Sequence, residues 1–207
     1  TAGRTGMNQV EELHLIQRAC QGDLEAFNQL ILEYQTLVFN HALWMVHDQE
    51  TAEDVTQETF LSAYQNINQY RGGSFRAWLL RIVTNASLDE LRRQKRRQTI
   101  PLFSYNHDGD EIETDDWLVD SGPSVEEQSM QRDLRVSLQR HICALPEEYR
   151  NAVLLVDVFE MEYAEAAEVM GVPIGTVKSR LARARLLLRR RLENGRDSLA
   201  YPLLESA

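Results

Sequence analysis

Apolar residues recur along this chain at three- and four-residue steps, the period of a helix with one buried face. Leu24, Phe27, Ile31, Tyr34, Val38 and Leu43 form a first stripe, with Gly22-Asp23 as its start. Val55, Phe60, Ala63, Tyr64 and Ile67 form a second, behind Thr51-Ala52-Glu53-Asp54, a run suited to capping a helix. Arg71-Gly72-Gly73-Ser74 reads as a turn that ends in the N-cap Ser74. A third stripe follows it: Phe75, Trp78, Leu79, Ile82, Val83 and Ala86. The spacing of Phe75 and Trp78 assigns both to the core. No run alternates as a half-buried strand does, so the first half is expected to be an all-helical bundle.

The pattern stops between Pro101 and Ser124, where Pro101, Gly109, Gly122 and Pro123 interrupt a run of acids. That length is unusual for a simple loop and predicts a linker or a functional segment. Helicity is expected to resume at Val125 and to run on through "LQRHICALPEEYRNAVLLVDVF". The expected fold is all-α: an N-terminal helical bundle and a small C-terminal domain joined by an acidic linker. The segments are 7–97, 98–128 and 129–193, with a tail at 194–207 too short for a further domain. Residues 1–6, ahead of Met7, read as an expression-tag remnant.

Within the second domain, "MEYAEAAEVMGVPIGTVKSRLARARLLLRR" has the mechanics of a helix-turn-helix. Tyr163, Ala166, Ala167 and Met170 make the apolar face of a first helix. Gly171 suits the left-handed position that ends it, and Pro173 prevents its continuation. The second helix turns Val177, Leu181, Ala184 and Leu188 inward and Thr176, Lys178, Ser179, Arg180 and Arg183 outward. Such a face suits the major groove of DNA, where Arg reads guanine edges and Lys and Ser hold phosphate.

Charge sharpens this division. The 207-residue chain has a formal net charge of −10, yet Ile174–Arg191 contains seven Lys or Arg and no acid. Val10–Tyr70 holds ten acids against Arg18 alone, Arg71–Arg97 reverses sign, and Gln98–Gln131 carries nine acids and no Lys or Arg. The acidic balance opposes non-specific nucleic-acid binding by the whole surface but not by a local basic patch. No apolar run approaches the length of a membrane span and no signal-like start is present, so a cytoplasmic chain without membrane insertion is expected. Cys20 and Cys143 lack metal-type spacing and read as reduced thiols.

Three segments, in this order, carry a family resemblance: "TAEDVTQETFLSAYQNI", "FRAWLLRIVTNASLDELRRQKRR" and "LPEEYRNAVLLVDVFEMEYAEAAEVMGVPIGTVKSRLARAR". Together they resemble the bacterial extracytoplasmic-function sigma factors, over about Leu24–Arg97 and Ser129–Leu192. The resemblance implies an RNA polymerase specificity subunit that binds core enzyme, recognises −10 and −35 promoter elements and helps open DNA. It implies no catalytic site, no cofactor and no small-molecule substrate. Asp54, Gln57 and Glu58 match the motif that grips a coiled coil of the large polymerase subunit, and Glu50 shares their helix face. The loop at about Ile67–Ser74 and Asn85 match the pocket for a base flipped from the non-template strand of the −10 element. Tyr70 would supply stacking surface there, and Arg71 and Arg76 phosphate contacts. Arg92, Arg93, Lys95, Arg96 and Arg97 would hold phosphate beside it. Lys178, Ser179, Arg180 and Arg183 fall where relatives contact the −35 element. The acidic linker, anchored by Asp115, Asp116 and Trp117, would mimic RNA near its exit path. An anti-sigma partner and a stress or envelope response are implied as well.

Two rival readings differ in class. A helix-turn-helix regulator binding duplex DNA independently of core would share the C-terminal motif but leaves "EDVTQE" and "TNASLDELRRQKRR" unexplained. A di-iron enzyme would need two Glu-x-x-His pairs, and only Glu11-x-x-His14 is present. His41, His47, His107 and His141 make no ligand pattern, so no metal is expected.

Overall fold

A computed structural model of the chain describes residues 7–99 and 137–194. The acidic linker, with Asp115, Asp116 and Trp117, lies outside the described residues, as do the start at Val125 and the C-terminal tail. Every regular element among the described residues is helical. Helices α1 (Gln9–Cys20), α2 (Leu24–Val46), α3 (Gln49–Asn66) and α4 (Phe75–Thr99) form the first unit, with a single 3₁₀ turn at Ile67–Gln69. The second comprises α5 (residues 137–143), α6 (Glu147–Val153), α7 (Tyr163–Met170) and α8 (Ile174–Asn194). Between α6 and α7 the chain passes through a wider π-helical turn, Leu154–Val158.

Short polar side chains set the helix starts. Asn8 and Glu11 form a capping box for α1. Asp23 accepts from the Ala26 amide at 3.1 Å and opens α2. That backbone bond, reinforced by the Arg18 guanidinium, holds the Asp23 carboxyl below its usual range. Ser74 accepts from the Ala77 amide at 3.2 Å and opens α4 as its sequence predicts. Helix α3 starts earlier than expected: Asp48, not the run at Thr51–Asp54, is its cap, and it accepts from the Thr51 amide at 2.7 Å. A carboxylate directly before the helix satisfies these free amides, which leaves Asp54 uninvolved in capping. The helix expected to continue from Val125 breaks at residues 144–146, where Pro146 cannot donate a backbone bond and instead precedes α6.

Helix α2 runs through the middle of the first unit, against α1, α3 and α4. Contact on three sides explains why its buried set is broader than one stripe: Leu30, Ala42 and Met45 are as buried as Phe27 and Val38, whereas Leu24, at the helix start, is 55% exposed. Two polar residues lie deep in this core. His41 Nε2 and Thr84 Oγ1 meet at 3.0 Å between α2 and α4, and the His41 ring lies 5.5 Å from that of Phe159. Phe159 belongs to the second unit, so the two units share one continuous core.

That junction has a polar framework. The buried Arg150 guanidinium, on α6, donates to the Met45 carbonyl at the end of α2 and to the carbonyls of Cys143 and, at 3.0 Å, Leu145. His47 Nε2 lies 3.1 Å from the Cys143 carbonyl. Arg76 donates to the Phe159 carbonyl at 2.6 Å, and Lys95 pairs with Glu147. Desolvation pushes His41 down to about 3 and His47 down to about 4.

Both imidazoles are neutral in folded and unfolded chains at neutral pH, so they exert no pull there. As pH falls below about 6.5 the unfolded chain takes up protons that the folded chain refuses, and stability declines with a limiting slope of about 1.4 kcal/mol per unit for each group. Urea unfolding of the full chain is expected to show a falling midpoint from about pH 6.5 towards about 5.5, a window above most of the carboxylate titrations. His47→Asn, which keeps a side chain tolerant of the left-handed conformation at this position, should flatten part of that slope.

Candidate functional site

Helices α7 and α8 form the anticipated helix-turn-helix. Gly171 has φ 63°, the left-handed value that ends α7, and the Val172 amide returns to the Ala167 carbonyl at 3.1 Å. The Thr176 amide bonds the Pro173 carbonyl at 2.8 Å and starts α8. Val177, Leu181, Ala184 and Leu188 are all buried, as their spacing predicts. Arg185, outside that stripe, grips Asp157 through two bonds, at 2.6 and 3.2 Å, and ties α8 to the π-helical turn. Arg191 donates to the His141 carbonyl and ties the end of α8 to α5.

With the inner face fixed, Lys178, Ser179 and Arg183 are exposed, and Thr176 and Arg180 are half-buried beside them. Ser179 Oγ donates to the Thr176 carbonyl at 3.0 Å, and Lys178 Nζ sits 5.5 Å above the Tyr163 ring. Tyr163 was expected to pack inward, yet it is 37% exposed and Val169 is buried instead. The cause is tertiary: α7 packs on α4 as well as on α8, which rotates Val169 inward.

On α3, Glu50, Asp54, Gln57 and Glu58 are all exposed on one side of the helix, with Leu61 continuing the same face at 57% exposure. Sequence reasoning missed Leu61, whose signal is its register, one turn beyond Gln57 and Glu58. An apolar group in an acidic patch suits a partner surface that is basic with an apolar centre.

The third set gathers around an open groove of about 550 Å³. Tyr70, Arg71 and Asn85 line it, together with Arg81, one turn before Asn85 on α4. Gly72 and Gly73, at φ 91° and 92°, turn the chain between Arg71 and α4. Tyr70 Oη donates to the Gly73 carbonyl at 2.7 Å, and its ring meets Phe75 and Trp78 edge-on at 5.5 and 5.6 Å. Phe75 is core, as expected, but Trp78 is half-buried and lines the groove. The period placed Trp78 on the inner stripe; its ring is wide enough to span core and groove together. Arg76, Arg92, Arg93 and Arg96 lie outside the lining: Arg76 is engaged with Phe159, while Arg92 and Arg93 pair with Asp89 and Glu90 farther along α4. Arg96 is exposed near the end of the same helix. The far wall of the groove belongs to α7, through Glu165, Glu168 and Val169.

Among the described residues no group of three His, Cys, Asp or Glu is placed to hold a metal ion. Cys20 and Cys143 are free thiols, and no described helix is long and apolar enough to cross a membrane.

A helical unit with an acidic face and an aromatic-lined groove, followed by a helix-turn-helix, is the arrangement that the sequence resemblance implies. Residues 30–97 match Sigma-70 region 2 and residues 135–188 match Sigma-70, region 4. The chain is 32% identical over 202 residues to the RNA polymerase sigma-H factor of Pseudomonas aeruginosa, covering 97% of this chain and 100% of that one. It is 35% identical over 184 residues to the ECF RNA polymerase sigma-E factor of Escherichia coli K12, covering 86% and 92% respectively. The fold is similar to that of the sigma factor RpoE solved in complex with the anti-sigma factor NepR from Bartonella quintana, with TM-score 0.60 and 22% identity over 82% of this chain and 98% of that one. The chain belongs to the extracytoplasmic-function RNA polymerase sigma factors. It is an alternative sigma factor that binds polymerase core and promoter DNA, and the family acts in transcription initiation rather than in catalysis. The region 2 match also answers the independent-regulator reading, which had no account of the first half.

The turn of the helix-turn-helix makes a stability prediction. Gly171 and Gly175 both have open space where a Cβ would stand, but only Gly171 has a positive φ. Gly171→Ala should therefore cost about 1 kcal/mol through the left-handed backbone. Gly175→Ala, inside the first turn of α8, should raise stability by about 0.5 kcal/mol. Denaturant midpoints of the two variants check the pair; equal effects would contradict this account of the turn.

Proposed function

We propose that this sigma factor divides promoter recognition between its two units, with 7–97 engaging core and the −10 element and 129–193 reading the −35 element. Asp54, Gln57, Glu58 and Glu50 form the core-binding face. Tyr70, Arg71 and Asn85 take the displaced −10 strand, with Arg76, Arg92, Arg93 and Arg96 holding phosphates along α4. Thr176, Lys178, Ser179, Arg180 and Arg183 meet the −35 element in the major groove. The observation that carries this reading is the split character of α8: its apolar stripe is fully buried while Lys178, Ser179 and Arg183 remain exposed on the opposite side. A face so arranged presents cations along one line, as phosphate contact and guanine readout require.

The chain acts in the cytoplasm, where its polymerase is, and is held in reserve by an anti-sigma factor until a stress or envelope signal arrives. Support for that control comes from the Bartonella quintana relative, a sigma factor of similar fold whose solved complex contains an anti-sigma factor.

Reconstituted transcription with bacterial core polymerase on a promoter library tests the proposal. The chain should direct initiation only with core present. Arg180→Glu and Arg183→Glu should each lower initiation from −35-dependent promoters by about tenfold or more while leaving core binding intact, since a bidentate guanine contact contributes about 1–3 kcal/mol. Asp54→Lys with Glu58→Lys should instead abolish co-purification with core. Loss of core binding in the α8 variants would refute the division of labour.

A further inference from the structure

The loop between α3 and α4 has little to hold its tip. Gly72 and Gly73 both take positive φ, and a Cβ placed at either would meet no atom within 4 Å beyond its chain neighbours. The direction of the loop is therefore set at its base, by Ile67, Tyr70 and Phe75. Helix α1 reaches that base at two points. At its C-terminal end, Cys20 Sγ donates to the Ile67 carbonyl at 3.6 Å, across 47 residues. Nearer its start, the half-buried Glu12 carboxylate accepts from the hydroxyl of Tyr34 on α2. The Tyr34 ring meets Phe75 edge-on at 5.6 Å, and Phe75 meets Tyr70 in the same way at 5.5 Å. Tyr70 then closes the loop through its bond to the Gly73 carbonyl.

We propose that α1 aims this loop, with Glu12 and Tyr34 as positioning residues for base discrimination in the displaced −10 strand. That role presupposes that Tyr70, Arg71 and Asn85 take the strand. Helix α1 lies ahead of the segment that matches region 2, which begins at residue 30. It is nonetheless firmly seated: Leu15, Ile16 and Ala19 are buried, and Arg18 pairs with Asp23 at 2.6 Å across the turn into α2.

Burial makes the Glu12–Tyr34 bond matter. Tyr34 is 3% exposed, and a buried hydroxyl left without an acceptor costs more than a satisfied bond returns. Burial and the Glu12 carboxylate both push the Tyr34 phenol up, so it remains the donor at neutral pH. Burial, then Glu12 and Cys20, also hold the Tyr70 phenol above its usual range, which places both α1 contacts within reach of the loop's stacking ring. Without Glu12 the Tyr34 hydroxyl must turn towards another acceptor, and the ring turns with it. Edge and face of an aromatic ring carry opposite partial charge, so the stack onto Phe75 and Tyr70 re-forms at a different tilt. Tyr70 lines the groove, and its tilt sets the surface on which a base stacks. Discrimination is a difference between similar affinities, so it responds to such a misplacement more sharply than phosphate contact does.

Holoenzyme assembled from core polymerase and the full chain tests this on templates identical except for a randomised −10 element. The readout is the ratio of initiation between the best template and those that differ from it at one −10 position. A folding defect lowers the active fraction and cancels in that ratio. Glu12→Ala and Tyr34→Phe should each compress the ratio about threefold or more at one position at least, with binding to core unchanged. Glu12→Gln, whose amide oxygen accepts the same bond, should keep the full ratio. An unchanged ratio in either of the first two variants overturns the brace, as does a Glu12→Gln ratio as compressed as that of Glu12→Ala. Asn85→Ala reports separately on the site. If it leaves every −10 ratio unchanged, the −10 reading itself fails. If it compresses a ratio that Glu12→Ala and Tyr34→Phe leave intact, the site stands and the brace falls.

Discussion

The buried guanidinium of Arg150 is the constraint on which the arrangement of the two units depends. Helices α2 and α5 both end nearby, and their last carbonyls have no partner within the helix. Arg150 donates to Met45 from the first and to Cys143 and Leu145 near the second. Burial lowers its tendency to hold a proton, but a guanidinium stays charged, so the carbonyls must supply the solvation it gives up. A charge so placed tolerates little displacement. It fixes α6 against the end of α2, and the π-helical turn then delivers Phe159 to His41 and α7 to α4.

The three surfaces depend on that placement to different degrees. The α8 face depends on its own unit: a buried stripe, Gly171, and the Arg185–Asp157 pair. The α3 face depends only on the first bundle, because Asp54, Gln57 and Glu58 sit opposite Ala52, Val55 and Thr59, which are buried. The groove beside Asn85 depends on both units at once. Its basic and aromatic wall is local to α4 and the preceding loop, while its acidic wall arrives from α7. The same helix therefore packs on α8 and forms one wall of the groove beside α4.

The net charge of −10 fits this economy of surfaces. Among the described residues most exposed cations lie on α4 and α8, and part of the first set is engaged internally, by Asp89, Glu90 and Glu147. Surface pairs of this kind contribute little to stability, but they lower the field that would draw the free chain onto arbitrary DNA.

Sequence alone determined the helical character, the two-unit order, the helix-turn-helix with its inward stripe, and the acidic face of α3. These features rest on local rules: a period of 3.6, a glycine in a left-handed turn, a proline that stops a helix. The α3 cap was misplaced because Asp48 and the run at Thr51 both satisfy the capping chemistry, and only the path of the chain after His47 chooses between them. Trp78 and Tyr163 were assigned from period alone, and each was re-sorted by a neighbour from another helix, as was Val169, which the period left unassigned. The His41–Thr84 pair and the Arg150 carbonyl cluster had no sequence signal, since they join residues 43 and 105 positions apart. What only the tertiary structure decided was which surfaces face each other: the second unit borders the groove beside α4 because polar groups at its edge find their partners in the first unit.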